Sequence, residues 1–135
     1  MGFADSLKRA CDNALKQTGE AATETVTSLF TLAKDFSPVQ PDAPYAKGLF
    51  INSWYPAVNN VDPTVGAVAD MSGSGTQSRI DALKSQSLFY GRDEYVTLAN
   101  NLDYAMRVEL LGWDRTGPYS PARLAVLTIR SANLK

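Results

Sequence analysis

Asp93-Glu94 and the pair Asp103 and Glu109 are the local carboxylate groupings in this 135-residue chain that could serve acid–base chemistry. Such chemistry needs two carboxylates in different environments, so that one holds its proton while the other stays charged. Adjacent acids in a turn point to different sides and are solvated, so the bland reading outweighs catalysis for both groupings. Gly73-Ser74-Gly75 has the glycine content of a phosphate loop, because glycines let backbone N–H groups approach an anion. It lacks the Gly-Lys-Ser/Thr ending and a hydrophobic strand just before it, and reads as a flexible connection. A last set interleaves arginine with aromatic residues: Arg107, Trp113, Arg115, Tyr119, Arg123 and Arg130. These types stack on single-stranded nucleic acid and hold its phosphates, and they also anchor protein interfaces, the reading favoured here.

What the chain lacks narrows the choice further. It has no histidine and one cysteine, Cys11. That excludes a Ser-His-Asp or Cys-His nucleophile, an imidazole metal ligand, an intrachain disulfide and a CxxC pair. A carboxylate, lysine or tyrosine enzyme remains open, but the expectation is a non-enzymatic protein without cofactor or metal, whose work is binding or assembly. Thirteen Lys and Arg against fourteen Asp and Glu give a net charge of −1, with no compositional case for nucleic-acid affinity. The start lacks the apolar run of a secretory signal, and no stretch approaches the roughly 18 apolar residues of a membrane span. Gly2 and Ser6 formally match a short myristoylation pattern, for which a helix start is the plainer reading.

Length and a hydrophobic fraction of 44% suit a single domain over 1–135, with a helical segment at 1–36, a proline-rich loop at 37–48 and a core at 49–135. From Phe3 to Phe36 apolar residues recur in steps of three and four, the period of an amphipathic helix. Gly19 and Thr23, Thr25 and Thr27 are weak helix formers, so a break near Thr18-Gly19 is expected. Cys11 lies on the apolar stripe and reads as a small buried hydrophobe. Leu49 to Val58 is expected as a strand, with 65–69 pairing back; 71–78 is a connection into a helix at about 77–87 whose Ile80, Leu83 and Leu88 face inward. Glu94 to Asn100 alternates like a strand, and Leu102 to Gly112 carries a short helical pattern. Ala122 to Ala132 reads as the best strand, or as a helix if Ala122 to Leu127 dominates; β-branched Val126, Thr128 and Ile129 favour the strand. The sum is an α+β fold, a mainly antiparallel sheet packed by a long N-terminal helix and one or two shorter ones.

Two stretches carry a resemblance. Asn100-Asn101-Leu102-Asp103-Tyr104-Ala105, then Val108-Glu109, Gly112-Trp113 and Tyr119-Ser120-Pro121-Ala122-Arg123, resemble the signature of tailed-phage tail-completion (neck) proteins of the lambdoid type. Ser37-Pro38-Val39 followed by Lys47-Gly48-Leu49-Phe50 and Ser53-Trp54 is similar to a second element of that family. The departures are Asp103 in place of proline, an extra Leu111, a longer insertion at 40–46 and Ala122 in place of glycine. The resemblance implies a structural virion protein, made in the host cytoplasm, that forms a homo-oligomeric ring, a hexamer, at the head-proximal end of a phage tail. Such a ring completes or terminates the tail tube and joins it to head-tail connector proteins, with double-stranded DNA passing through the lumen unread and no membrane involved. Leu49 to Val58 with Ala122 to Ala132 would supply the sheet, and Trp54, Tyr104, Arg107, Glu109, Trp113, Arg115, Tyr119 and Arg123 would meet partners. The alternatives are a connector or stopper ring nearer the portal, or a soluble non-viral module that binds protein or nucleic acid.

Overall fold

The computed structural model describes residues 2–39, 47–86, 88–89, 94–111 and 120–133. Its first element, α1, runs unbroken over Phe3–Asp35. No break occurs at Thr18-Gly19, because the threonines are satisfied within the helix. The hydroxyls of Thr18, Thr23, Thr25 and Thr27 each donate to the carbonyl four residues earlier, at 2.8–3.0 Å. Gly19 serves packing instead: a Cβ there would stand 2.9 Å from the Leu88 carbonyl oxygen, so the chain after the next helix can press against α1 only where no side chain intervenes. The helix ends where the Ser37 hydroxyl donates to the Ala33 carbonyl and Pro38 follows.

The expected strand from Leu49 is shorter than the pattern suggested. Residues 47–52 form turns, and pairing begins at Tyr55. The reason is burial: Phe50, Ile51, Asn52, Ser53 and Trp54 are buried in succession, where a half-buried strand would alternate. Strand β1, Tyr55–Val58, pairs antiparallel with β2, Val96–Ala99, with Tyr55 opposite Ala99 and Val58 opposite Val96. Residues 65–69 do not pair back as a strand. Gly66 stands at φ 82°, outside the extended region, and a Cβ there would approach the Leu102 side chain at 3.2 Å.

Helix α2, Ser74–Lys84, starts earlier than expected. The stretch read as a flexible connection is a tight turn: the Asp70 carboxylate accepts from the Ser72 N–H at 2.9 Å and from the hydroxyls of Ser72 and Ser74. Gly73 takes φ 67° at the helix entrance, packed on the Ile51 side chain. Ile80, Leu83 and Leu88 face inward, as the period predicts.

The largest correction concerns the C-terminus. Pro121–Asn133 is a helix, α3, and contributes nothing to the sheet. Pro121 occupies the first helical position, where its ring pre-sets φ and its missing N–H costs nothing. Glu109, on a π-helical turn at Arg107–Leu111, accepts from the N–H groups of Ala122 and Arg123 at 3.1 and 3.0 Å. That cap from a distant residue outweighs the β-branched content. The result is an α+β fold in which α1 packs against both α2 and α3. One core cluster gathers Phe30, Ile80, Leu83 and Leu88; a second gathers Phe50, Trp54, Tyr104 and Val108, and Leu98 packs against both.

Candidate functional site

The residues of the neck-protein resemblance turn out to fasten the fold. Asn100 donates its side-chain amide to the Phe50 carbonyl at 3.0 Å, and Asn101 donates to the carbonyls of Asp62 and Thr64 at 2.8 and 3.0 Å. Tyr104 is buried, its ring 6.2 Å from that of Phe50. Trp54 is buried as well, edge-on to Phe50, and its indole N–H donates to the Ser37 hydroxyl at 2.9 Å. Neither aromatic is therefore a surface anchor, which corrects the expectation that they meet partners: the hydrophobic gain of two large rings is already taken by the core. Glu109 is a helix cap. Arg107 and Arg123 are exposed, with Met106 and Leu110 exposed beside the first. Trp113, Arg115 and Tyr119 lie outside the described residues, as does Asp93 of the acidic pair; the Glu94 carboxylate accepts the Phe89 N–H. Side chains of Arg130 and its neighbours are also outside what is described.

Polar side chains converge most closely around Thr76. Its hydroxyl donates to the Ile51 carbonyl at 2.9 Å, its N–H donates to the Asn52 side-chain oxygen at 3.1 Å, and Arg79 reaches the carbonyls of Asn52 and Trp54 while lying 4.0 Å over the Tyr55 ring. The groups satisfy one another, as buried polar groups must, and they clamp the turn before β1 to α2. Among the described residues no group of three or more Cys, Asp and Glu is placed to hold a metal ion, and no helix is long and apolar enough to cross a membrane.

Two surfaces stand out that the sequence reading did not single out. The first is an arm: residues 3–18 of α1 are exposed throughout, Phe3 by 83%. At about 100° per residue, Phe3, Leu7, Ala10, Cys11 and Ala14 form one stripe centred roughly 150° from the face made by Gly19, Thr23, Thr27, Phe30 and Ala33. That stripe thus points away from the core that the second half of α1 helps to build, while Leu15, also exposed, lies on the core side of the helix axis. Cys11 is exposed on it, contrary to the buried packing role expected.

The second is the segment 59–72, ordered without strand or helix. The carbonyls of Asn60, Asp62, Thr64, Gly66 and Val68 each accept a hydrogen bond from a scaffold side chain, those of Thr97, Asn101, Tyr55 and Asn52, at 2.7–3.0 Å. Every second carbonyl is held as in a strand, but by side chains. Val61, Val65, Val68 and Met71 are left exposed, Val68 by 83%. Asp62 accepts from both the hydroxyl and the N–H of Thr64, which lowers its pKa; Asp70, held by the Ser72 and Ser74 hydroxyls, is lowered to about 2. The signal for this loop lay in Asn52, Tyr55, Thr97 and Asn101, polar residues whose partners are remote in sequence. Compared with known protein families, with curated proteins and with solved structures, the chain matches none of them.

Proposed function

We propose that this chain is a non-enzymatic structural subunit of a tailed-phage neck, forming a homo-oligomeric ring that completes or terminates the tail tube and joins it to the head connector, with DNA passing through the lumen unread. The exposed arm of α1 carries the reading: about 24 Å of helix with an apolar face turned away from its own core is organised for a neighbour, not for monomer stability. The resemblance over Asn100–Arg123 supports the same reading, and two of its residues, Asn101 and Glu109, hold the 59–72 loop and the start of α3.

The test is to purify the chain, mix it with phage tail tubes whose upper end is open, and image the products by electron microscopy beside light scattering of the chain alone. A ring at the head-proximal end of the tubes is the expected outcome. A chain that stays monomeric at high concentration and leaves tube ends bare overturns the proposal.

A further inference from the structure

Among the described residues the sheet stops at two strands, and its two outer edges differ. The Asn59 N–H donates to the Tyr95 carbonyl at 2.8 Å, and pairing repeats at every second residue, so Ala57 with Thr97 and Tyr55 with Ala99 exchange the bonds between β1 and β2. Pro56 and Val58 on β1, and Val96 and Leu98 on β2, therefore turn their backbone groups outward. On β1 that row is interrupted, because Pro56 has no N–H to offer. On β2 it is open: Val96 and Leu98 each present an N–H and a carbonyl that no described group meets. The strand, Val96-Thr97-Leu98-Ala99, carries none of the lysine, proline or bulge that blunts an edge.

A row of alternating N–H and carbonyl groups is matched by another strand, and β2 is its own complement. Set antiparallel to itself about Thr97, it lets Val96 of one chain exchange both hydrogen bonds with the partner's Leu98, and Leu98 with the partner's Val96, so every outward group is used. Thr97 then faces the partner's Thr97 across the axis. Tyr95, which is exposed, faces the partner's Ala99, and Glu94 faces the partner's uncharged Asn100, so no like charges meet. Val96 and Leu98 keep their side chains on the core side, where both already pack against the Phe30, Ile80, Leu83 and Leu88 cluster, and the two cores become continuous under a four-stranded sheet.

We infer that the open β2 edge is an interface between two copies of this chain, joined antiparallel, β2 to β2, about a two-fold axis at Thr97. The other copy's β1 is a poor occupant, because Pro56 leaves its outer row without a donor. The contact goes beyond the ring reading and does not depend on it: a two-fold contact joins chains, or rings, in pairs and does not itself close a ring.

Residues directly opposite in a non-hydrogen-bonded pair have Cα atoms about 4.5 Å apart, within reach of a disulfide. In the full chain with Cys11→Ser, Thr97→Cys should therefore oxidise to a covalent dimer and go no further. Ala57→Cys in the same background, opposite Thr97 on β1, should give no covalent dimer. Thr97→Lys sets like charges face to face and should weaken dimerisation at least about tenfold, read by light scattering over a concentration series, with an unchanged circular dichroism spectrum. Thr97→Val loses the bond to the Asn60 carbonyl equally but adds no charge, and should leave dimerisation nearly unchanged. Self-association that survives Thr97→Lys, with no covalent dimer from Thr97→Cys, would overturn the β2 contact and leave the ring reading standing. A wild-type chain monomeric at every concentration would also overturn the contact, and the ring reading is then judged separately on the tail tubes.

Discussion

The two halves of α1 share one backbone and one sequence period, yet they do opposite things. From Gly19 onward the helix sends Gly19, Thr23, Thr27, Phe30 and Ala33 into the domain. Before it, every residue is exposed and the apolar stripe has rotated to another face. A helix stabilised by tertiary packing in its second half can carry its first half as an extension, since adding turns to an existing helix is far easier than nucleating one. The comparison teaches that amphipathicity records a surface to be covered and is silent on what covers it.

A pair of identical substitutions should divide the halves most sharply. Phe30→Ala removes a ring packed among Ile80, Leu83 and Leu88 and should cost about 3–5 kcal/mol in denaturant unfolding. Phe3→Ala should change monomer stability by less than about 0.5 kcal/mol while impairing assembly. Equal losses of stability would erase the distinction. At the boundary, Gly19→Ala sharpens it: helix propensity alone favours alanine by about 1 kcal/mol, but a Cβ 2.9 Å from the Leu88 carbonyl forces backbone to move. A net destabilisation of about 1–3 kcal/mol is expected from the clash, whereas Gln17→Ala, two residues into the arm, should be near neutral.

The same contrast extends to how the other elements are held. Glu109→Ala should cost about 1 kcal/mol, because two N–H groups of α3 lose their cap. Thermal melts with helical content followed by circular dichroism would reveal it, and an unchanged melt would show that α3 starts without help. The smallest effect should be at Asp70. Its pKa is about 2 in the folded chain against 3.8 ordinarily, so what the charge contributes is present above pH 3.8 and is lost as pH falls toward 2. Wild type should lose stability across that window more than Asp70→Asn does; parallel acid titrations would deny Asp70 its role at the start of α2.

Much of the fold was legible because it is local. The bounds of α1, the strand around Val96–Ala99 and the inward positions of Ile80, Leu83 and Leu88 follow from period alone. The candidate site was legible less often. Trp54 and Tyr104 have the chemistry of interface anchors and of core residues alike, and burial places them in the core. Asn52 and Asn101 have the composition of a turn, and their role as fasteners depends on carbonyls many residues away.

By itself, the sequence determined that this is an α+β chain with a long amphipathic helix, without imidazole chemistry and without paired cysteines, because residue counts and side-chain periods are properties of the chain as written. Tertiary structure alone decided that 121–133 is a helix, that the arm's stripe turns away from the core, and that 59–72 is held by side chains. Each of those outcomes depends on groups distant in the chain: a glutamate twelve residues before Pro121, a carbonyl pressed on Gly19, and amides of two asparagines meeting one loop from either side.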